Sequence, residues 1–396
     1  MKRFDAIIIG AGPVGLSLAK ALSSNDLTVL LLELQDESSI TEPKFDGREI
    51  ALTHASKLTM QKLGLWDKLL PDTISPISEA RIFNGTSLFS LDINSNDSGE
   101  EALGFLVSNH LIRKAAYEAV KDVESIHIQY GMRINKITHH TQHIEITLNS
   151  DEIVQSKLLV GADSRFSETR RTMGISTDMH DFGKTMMVCQ MAHSLPHHHA
   201  AWEWFDYGQT LALLPMNGMQ SSVVLTLPKN EIDDLMSLPE VLFNEDITRR
   251  FKNRLGQMQL VSTRHAYPLV TAYANRFTGK RFALVGDAAV GMHPVTAHGF
   301  NFGLKSVVTL TNAMQQANKK HQDIGAASVL MHYEQQHRKD TRPLFLATHA
   351  VAKLYNSDKL PLRLLRAGAL RLGHRIKPFK RRVASFLSET STQGLT

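Results

Sequence analysis

Gly10-Ala11-Gly12-Pro13-Val14-Gly15 sets three glycines at G-x-G-x-x-G spacing directly after the apolar run 4–9, Phe-Asp-Ala-Ile-Ile-Ile. Each glycine answers a separate need: the first permits a tight turn, the second admits a pyrophosphate close to the backbone, and the third lets a helix pack against a strand. The unpaired N–H groups and partial positive charge of a helix start then suit phosphate. Glu33 closes the next apolar run, 28–33, and lies 18 residues beyond Gly15, where a carboxylate can accept hydrogen bonds from an adenosine ribose. The pattern is that of dinucleotide binding. It does not separate a nicotinamide from a flavin, because both use it in the same way.

The elements that must hold these residues follow from periodicity. A strand buried on both faces, a helix over 13–23 and a second buried strand make a βαβ unit, the opening of a doubly wound parallel sheet. Between 76 and 105 the pattern loosens into short alternating pieces and the polar loop 94–99. A helix over 108–121, a strand near 126–130 and an apolar strand at 157–161 follow. Residues 185–192 and 210–227 alternate or run apolar around Met216-Asn217-Gly218-Met219, which predicts a mostly antiparallel sheet. A buried strand at 281–285 precedes Gly286-Asp287, a helix covers 299–319, and from about 325 the chain reads as helix to its end. The expected fold is α/β with an α+β second domain. A discontinuous Rossmann-like cofactor domain takes 1–75, 105–180 and 270–345, a β-sheet substrate domain takes 76–104 and 181–269, and a helical basic segment takes 346–396.

Composition bounds the function. The 396 residues are 42% hydrophobic and 21% charged, which fits a globular enzyme and excludes disordered, fibrous and small disulfide-built classes. The single cysteine, Cys189, forms no internal disulfide and fits a reducing compartment, with the cytoplasm as default. Net charge is 44 − 39 = +5, yet 359–382 holds nine Lys/Arg and no acid, leaving 35 − 39 = −4 elsewhere. The basicity therefore describes one segment and argues against a nucleic-acid groove through the body. Lys2 and Arg3 ahead of an apolar stretch imitate a signal peptide, but the ordered glycines point to the βαβ unit instead. No apolar run reaches the roughly 18 residues a transmembrane helix needs, so any membrane contact is expected to be peripheral.

Two distal segments decide the cofactor. Leu158-Leu-Val-Gly161-Ala162-Asp163-Ser-Arg165 continuing to Arg170-Arg171, and Val285-Gly286-Asp287-Ala288-Ala289 continuing to His293-Pro294, resemble the second and third flavin motifs of the aromatic hydroxylases related to p-hydroxybenzoate hydroxylase. Pro294-Val-Thr-Ala-His298-Gly299-Phe-Asn301-Phe-Gly303, Asp46-Gly-Arg48 and Gly208–Pro215 are similar to segments of the ubiquinone-biosynthesis hydroxylases within that group. The resemblance spans about residues 4 to 345, and its wording is nearest to the bacterial branch that hydroxylates demethoxyubiquinol.

The resemblance implies a cofactor site. Gly10, Gly12, Pro13, Val14 and Gly15 cradle the FAD pyrophosphate, Glu33 takes the ribose, and Arg48 reaches towards the phosphates or ribityl chain. Gly286 and Asp287 meet the ribityl, Asp163 serves flavin and pyridine nucleotide, Pro294, Gly299 and Asn301 wrap the flavin ring, and Asn109 is a further flavin contact. A helix start at Gly299 suits the anionic edge of reduced flavin. It also implies the reaction: NADPH or NADH reduces FAD, O2 adds to give a flavin hydroperoxide, and one oxygen passes to a polyprenylated phenol or quinol. The protein's task is then to position the ring and exclude water.

The chain departs from the family wording at Thr296-Ala297-His298-Gly299, where Ala-Gly-Gln-Gly is usual; Ser164 and Ser306 are further departures. His298 is the candidate catalytic residue, binding or deprotonating the substrate hydroxyl, and the plainer reading is a hydrogen-bonding replacement for glutamine. No metal site is expected: His197-His198-His199 and His139, His140 and His143 read as solvated loops. His293 is a candidate flavin or substrate contact, or a structural one. Trp202, Trp204 and Phe205 line a cavity or fill a core, and Met186, Met187 and Met191 are packing. Lys359, Arg363 and Arg366 fall within about 60° of one another on a helix, a basic amphipathic stretch facing solvent, anionic lipid or quinone-biosynthesis proteins. The expected enzyme is cytoplasmic and peripheral on the plasma membrane's inner face. Alternatives are a flavin hydroxylase of a soluble aromatic, or a catalytically weak FAD-binding subunit of a quinone-biosynthesis complex.

Overall fold

Strand Lys2–Ile9 occupies the middle of a parallel sheet because its apolar run can meet water on neither face, and Ala6, Ile7 and Ile8 are fully buried. The computed structural model describes residues 2–85, 87, 89–97, 99–206, 208–293, 299–355, 368 and 376–389, and all structural statements concern these. Lys2–Ile9 pairs in parallel with Ile153–Gly161 on one side and Val29–Leu32 on the other; Phe282–Leu284 and Ile126–Gln129 extend the sheet, also in parallel. Helix Pro13–Ser23 makes the first crossover and helix Gly299–Lys319 packs beside it. The hairpin Ile134–His139/Ile144–Leu148, which the sequence pattern did not reveal, adds antiparallel to Ile153–Gly161.

A nine-stranded sheet forms the second layer, antiparallel except where Ala200–Asp206 runs parallel to Glu79–Asn84. Its longest strand, Thr177–His193, pairs through its first half with His265–Ala274 and through its second with Gln220–Pro228. A bulge between Asp181 and Thr185 separates the first stretch of pairing with His265–Ala274 from the second, and Gly183 sits in it at φ +65°. The expected turn at 216–219 is present, with Gly218 at φ +70°. Helices Lys229–Ser237 and Glu240–Arg250 cover this sheet. They bury only a few residues each, Ile232 and Leu235, then Phe243 and Ile247, too sparse an apolar stripe to stand out in the sequence.

A small third sheet, Glu49–Leu52, Gly104–Ser108 and Ser75–Ile77, lies in the chain between the elements of the two large ones. The long helix Ala327–Tyr355 and the helix Lys377–Ser388 follow. Trp204 is fully buried and donates from Nε1 to the Gly85 carbonyl at 2.9 Å, while Trp202 packs in the same core, so these tryptophans fill a core. His197 is not solvated: it is buried, and its Nε2 meets the Met216 carbonyl.

Candidate active site

The glycine turn has the geometry its spacing calls for. Gly10 adopts φ +104°, and a Cβ there would meet the Ala162 carbonyl oxygen at 2.7 Å; a Cβ on Gly15 would sit 2.0 Å from the Gly10 carbonyl oxygen. A Cβ on Gly12 would meet nothing within 4 Å. Gly12 caps helix Pro13–Ser23 without any side-chain hydrogen bond, so no capping side chain takes up the first N–H groups. Glu33 is buried and accepts from Ala11 N at 2.7 Å and Gln35 N at 2.8 Å, which fixes its carboxylate at the end of its strand.

Arginines staple the second motif to the third. Arg170, 2% exposed, donates to the carbonyls of Ala288 at 2.7 Å and Arg165 at 3.0 Å. Arg165 donates to Asp287 Oδ2 at 2.9 Å and to the Val270 carbonyl at 2.8 Å. Asp163 accepts from Thr169 N through Oδ2, and its Oδ1 is buried with no hydrogen-bond partner. Gly286, at φ +60°, donates to Ser306 Oγ at 3.0 Å, and that hydroxyl donates to the Gly303 carbonyl. The departure at Ser306 is thus a tie between the Gly286 turn and helix Gly299–Lys319. A Cβ on Gly303 would lie 2.5 Å from Val14 Cγ2, so this helix meets Pro13–Ser23 at Val14.

Beside this lies a polar set from the small sheet. Asp46 accepts two bonds from the Arg48 guanidinium, at 3.1 and 2.6 Å, one from Arg48 N at 3.2 Å and one from Asn109 Nδ2 at 2.7 Å. Burial would raise the Asp46 carboxyl, but Arg48 and Asn109 hold it below the usual carboxylate range. The Arg48 guanidinium lies 5.4 Å from the Tyr267 ring centroid and feels the charge of Asp287. Glu49, buried, accepts from Ser108 Oγ at 2.7 and 2.8 Å and from Gln190 Nε2 at 2.9 Å. Burial, with the nearby Asp46 charge, pushes it up to about 7. Asn301 accepts from Thr53 N and donates to the Ala51 carbonyl, which pins the start of helix Gly299–Lys319 to strand Glu49–Leu52. A Cβ on Gly299 would lie 3.9 Å from Asp287 Oδ1.

Gly10 thus approaches Gly15 and Asp163, Glu33 bonds the glycine turn at Ala11, and Val14 packs on Gly286 and Gly303, while Asn301 bonds Thr53 and Ala51 and Arg48 and Asn109 meet at Asp46. Pro294 and His298 lie outside the described residues. Sequence reasoning missed Asp46, Glu49, Ser108, Gln190 and Tyr267 as site residues. Only Asp46 had a local signal, two residues from Arg48 on one strand-like face. The hairpin brings ligand atoms of His140, His143 and Glu145 within 4.8 Å of one another, but Arg3 and Arg281 act on His143 and oppose a cation there.

The family model described as "FAD binding domain" matches residues 3–343. The chain is 42% identical over 388 residues to the ubiquinone hydroxylase UbiM of Neisseria meningitidis, covering 97% of this chain and 84% of that protein. It is 32% identical over 377 residues to the ubiquinone hydroxylase UbiL of Rhodospirillum rubrum, covering 95% and 87%. Among solved structures, p-nitrophenol 4-monooxygenase PnpA from Pseudomonas putida superposes with a TM-score of 0.79 at 16% identity, covering 99% of this chain and 100% of that one. Klebsiella pneumoniae HpxO, solved with FAD and uric acid, gives 0.76 at 18% identity, covering 97% and 96%.

Glu49 provides a pH test. Its folded-state value lies above its ordinary one, so the stability it contributes is full below about 4.5 and is lost as pH rises through about 7. In urea denaturation, Glu49→Gln should gain on the parent protein between these limits by roughly 3 kcal/mol at most. A variant that gains nothing, or loses ground, as pH rises contradicts the assignment.

Proposed function

The chain belongs to the FAD binding domain family, and from that membership we propose that it is an FAD-dependent monooxygenase of ubiquinone biosynthesis that hydroxylates the ring of a polyprenyl phenol or quinol, demethoxyubiquinol foremost. The observation that carries this reading is the 42% identity to a ubiquinone hydroxylase, because it extends over 97% of the chain and so includes the substrate-side sheet as well as the cofactor motifs. In this reading 1–75, 105–180 and 270–345 hold the cofactor, 76–104 and 181–269 enclose the ring, and 346–396 is an appended helical segment.

The residues present fit FAD. The helix start at Gly12 is uncapped, the space above Gly12 is open, and Asp163 Oδ1 is buried without a partner. When bound, FAD takes electrons from NADPH or NADH and activates O2, so that one oxygen atom enters the ring as hydroxyl and the other leaves as water. The chain's own residues do the placing. Gly10, Gly12 and Gly15, with Pro13 and Val14, receive the pyrophosphate on N–H groups of the helix start. Glu33, already aimed by Ala11 and Gln35, accepts from the ribose. Asp287, steadied by Arg165, meets the ribityl chain with Gly286 beside it, and Asp163 offers its free oxygen to the cofactor. Arg48, joined to Asn109 through Asp46, would reach towards the phosphates or ribityl chain, and Asn109 would be a further flavin contact. Gly299 and Asn301 would place backbone N–H groups near the flavin edge, where a helix dipole favours negative charge.

No described helix is long and apolar enough to cross a membrane. Helix Lys377–Ser388 packs Val383, Ala384 and Leu387 against Ile77, Leu91 and Ile93 and leaves Arg381 and Arg382 exposed. We infer that this face, with the basic residues preceding it, docks on anionic lipid at the inner face of the plasma membrane, where a polyprenylated ring resides. Lys359, Arg363 and Arg366 lie outside the described residues.

A strain lacking only this gene and any hydroxylase able to substitute should accumulate, by mass spectrometry of its quinone pool, an intermediate short of one ring oxygen; an unchanged pool removes the reading. Replacing Arg363, Arg366, Lys380, Arg381 and Arg382 by glutamine should weaken cosedimentation with anionic vesicles by tenfold or more, at about 1 kcal/mol per basic residue near the surface. Unchanged binding contradicts lipid docking.

A further inference from the structure

Four rings from three separate elements meet at Phe182. The bulge between Asp181 and Thr185, with Gly183 donating to Asp181 Oδ1, holds Phe182 in the long strand Thr177–His193. Its ring centroid lies 4.5 Å from His180, 4.9 Å from His293 and 5.6 Å from His349, and the His180 and His349 imidazoles are 4.9 Å apart. Phe345, one turn earlier on helix Ala327–Tyr355, stacks parallel to His349 and in turn contacts Tyr273. All five of His180, Phe182, His293, Phe345 and His349 are only half-buried.

The cluster begins where the cofactor residues end. His293 follows strand Val290–Gly291 by two residues, and both Arg165 and His349 act on its imidazole. Arg165 in turn bonds Asp287. The paired His193 and His197 use both ring nitrogens on Leu195, Ser221, Met216 and His199 N. In His349 the Nδ1 is buried with no hydrogen-bond partner, as it is in His110, His199 and His337; of these four only His349 packs against Phe182 and His180. Such a nitrogen costs desolvation that leucine or phenylalanine at the same position would avoid, so packing alone does not account for it. Burial, with the charges of Lys353 and His180, holds His349 below the usual imidazole range, which leaves it neutral with one donor and one acceptor nitrogen. Aryl faces beside a neutral imidazole match a phenol or quinol: the rings cover its apolar faces and the nitrogen exchanges a hydrogen bond with its hydroxyl.

We propose that His349, with His180 and Phe182, forms the wall that recognises the hydroxyl-bearing ring of the substrate, His349 Nδ1 hydrogen-bonding a ring hydroxyl. The inference rests on the hydroxylase reading and adds to it the residues that select a phenolic ring. His349 comes from a helix beyond every flavin motif, and it has no marker in the sequence.

The test titrates FAD-loaded full-length protein with 2-methoxyphenol and follows the flavin visible band. His349→Phe, which keeps the ring's shape and removes its nitrogens, should bind about tenfold more weakly, the cost of one partly buried hydrogen bond. His349→Gln, which keeps a hydrogen-bonding group, should fall between it and the parent. Equal affinity in parent and His349→Phe at equal FAD content overturns the proposal, as does a parent flavin that 2-methoxyphenol leaves unperturbed. Should His349→Phe lose FAD, His180→Phe serves instead, with several-fold weaker binding expected and unchanged binding overturning the assignment. Turnover separates the two claims. Unchanged quinol hydroxylation and KM in His349→Phe removes this wall and keeps the enzyme's function. Loss of 2-methoxyphenol binding in a protein that hydroxylates no quinol keeps the wall and removes the polyprenyl substrate.

Discussion

A carbon atom added at position 15 would lie 2.0 Å from the Gly10 carbonyl oxygen, so the helix start and the strand end touch backbone to backbone. This contact sets the direction of helix Pro13–Ser23, and with it the direction of the uncapped N–H groups over Gly12. It also fixes Val14, one residue earlier, against Gly286 and Gly303, each of which has a side chain's worth of space taken by the valine. Ser306 then ties the Gly286 turn to the Gly299–Lys319 helix. Segments nearly 300 residues apart in sequence are thereby held around one point. A larger residue at 15 would therefore disturb the cofactor turn, the Asp287 turn and the helix start at Gly299 together.

The carboxylates around that frame are paired unequally, and one oxygen of Asp163 has no partner among the described residues. Asp46 is shared by Arg48 and Asn109, and Asp287 is held by Arg165. Glu49 has only the neutral donors Ser108 and Gln190, and it is the carboxyl that burial pushes up to about 7. Since Gln190 belongs to the large antiparallel sheet and Glu49 to the small one, this bond joins the two sheets. Asn301 performs a similar service, bonding Thr53 and Ala51 so that the helix start is located by strand Glu49–Leu52.

The βαβ unit, its three glycines and Glu33 were legible because every relevant contact is local: a turn, a helix start and a strand end within 33 residues. The mostly antiparallel sheet was legible from alternation and the turn at 216–219. Other features could not be read from one dimension. Helices Lys229–Ser237 and Glu240–Arg250 bury too few residues to show a clear stripe. The burial of His197 follows from the Met216 carbonyl across a hairpin, and the convergence of Phe182, His293 and His349 depends on three elements whose order in the chain says nothing of their proximity. Arg165 and Arg170 were visible as motif residues, yet their work, joining two motifs through Asp287 and the Ala288 carbonyl, appears only in three dimensions.

The reaction proposed for this scaffold, with FAD in place, is the transfer of one atom of O2 to a phenolic or quinol ring. The most direct measurement supplies the FAD-loaded protein with NADPH or NADH, a short-chain demethoxyubiquinol and isotopically heavy oxygen gas, and follows the ring product by mass spectrometry. The expected product is a hydroxylated ring carrying one heavy oxygen atom, in proportion to the nicotinamide oxidised. Nicotinamide oxidation that yields only hydrogen peroxide, or a hydroxyl whose oxygen comes from water, would contradict it.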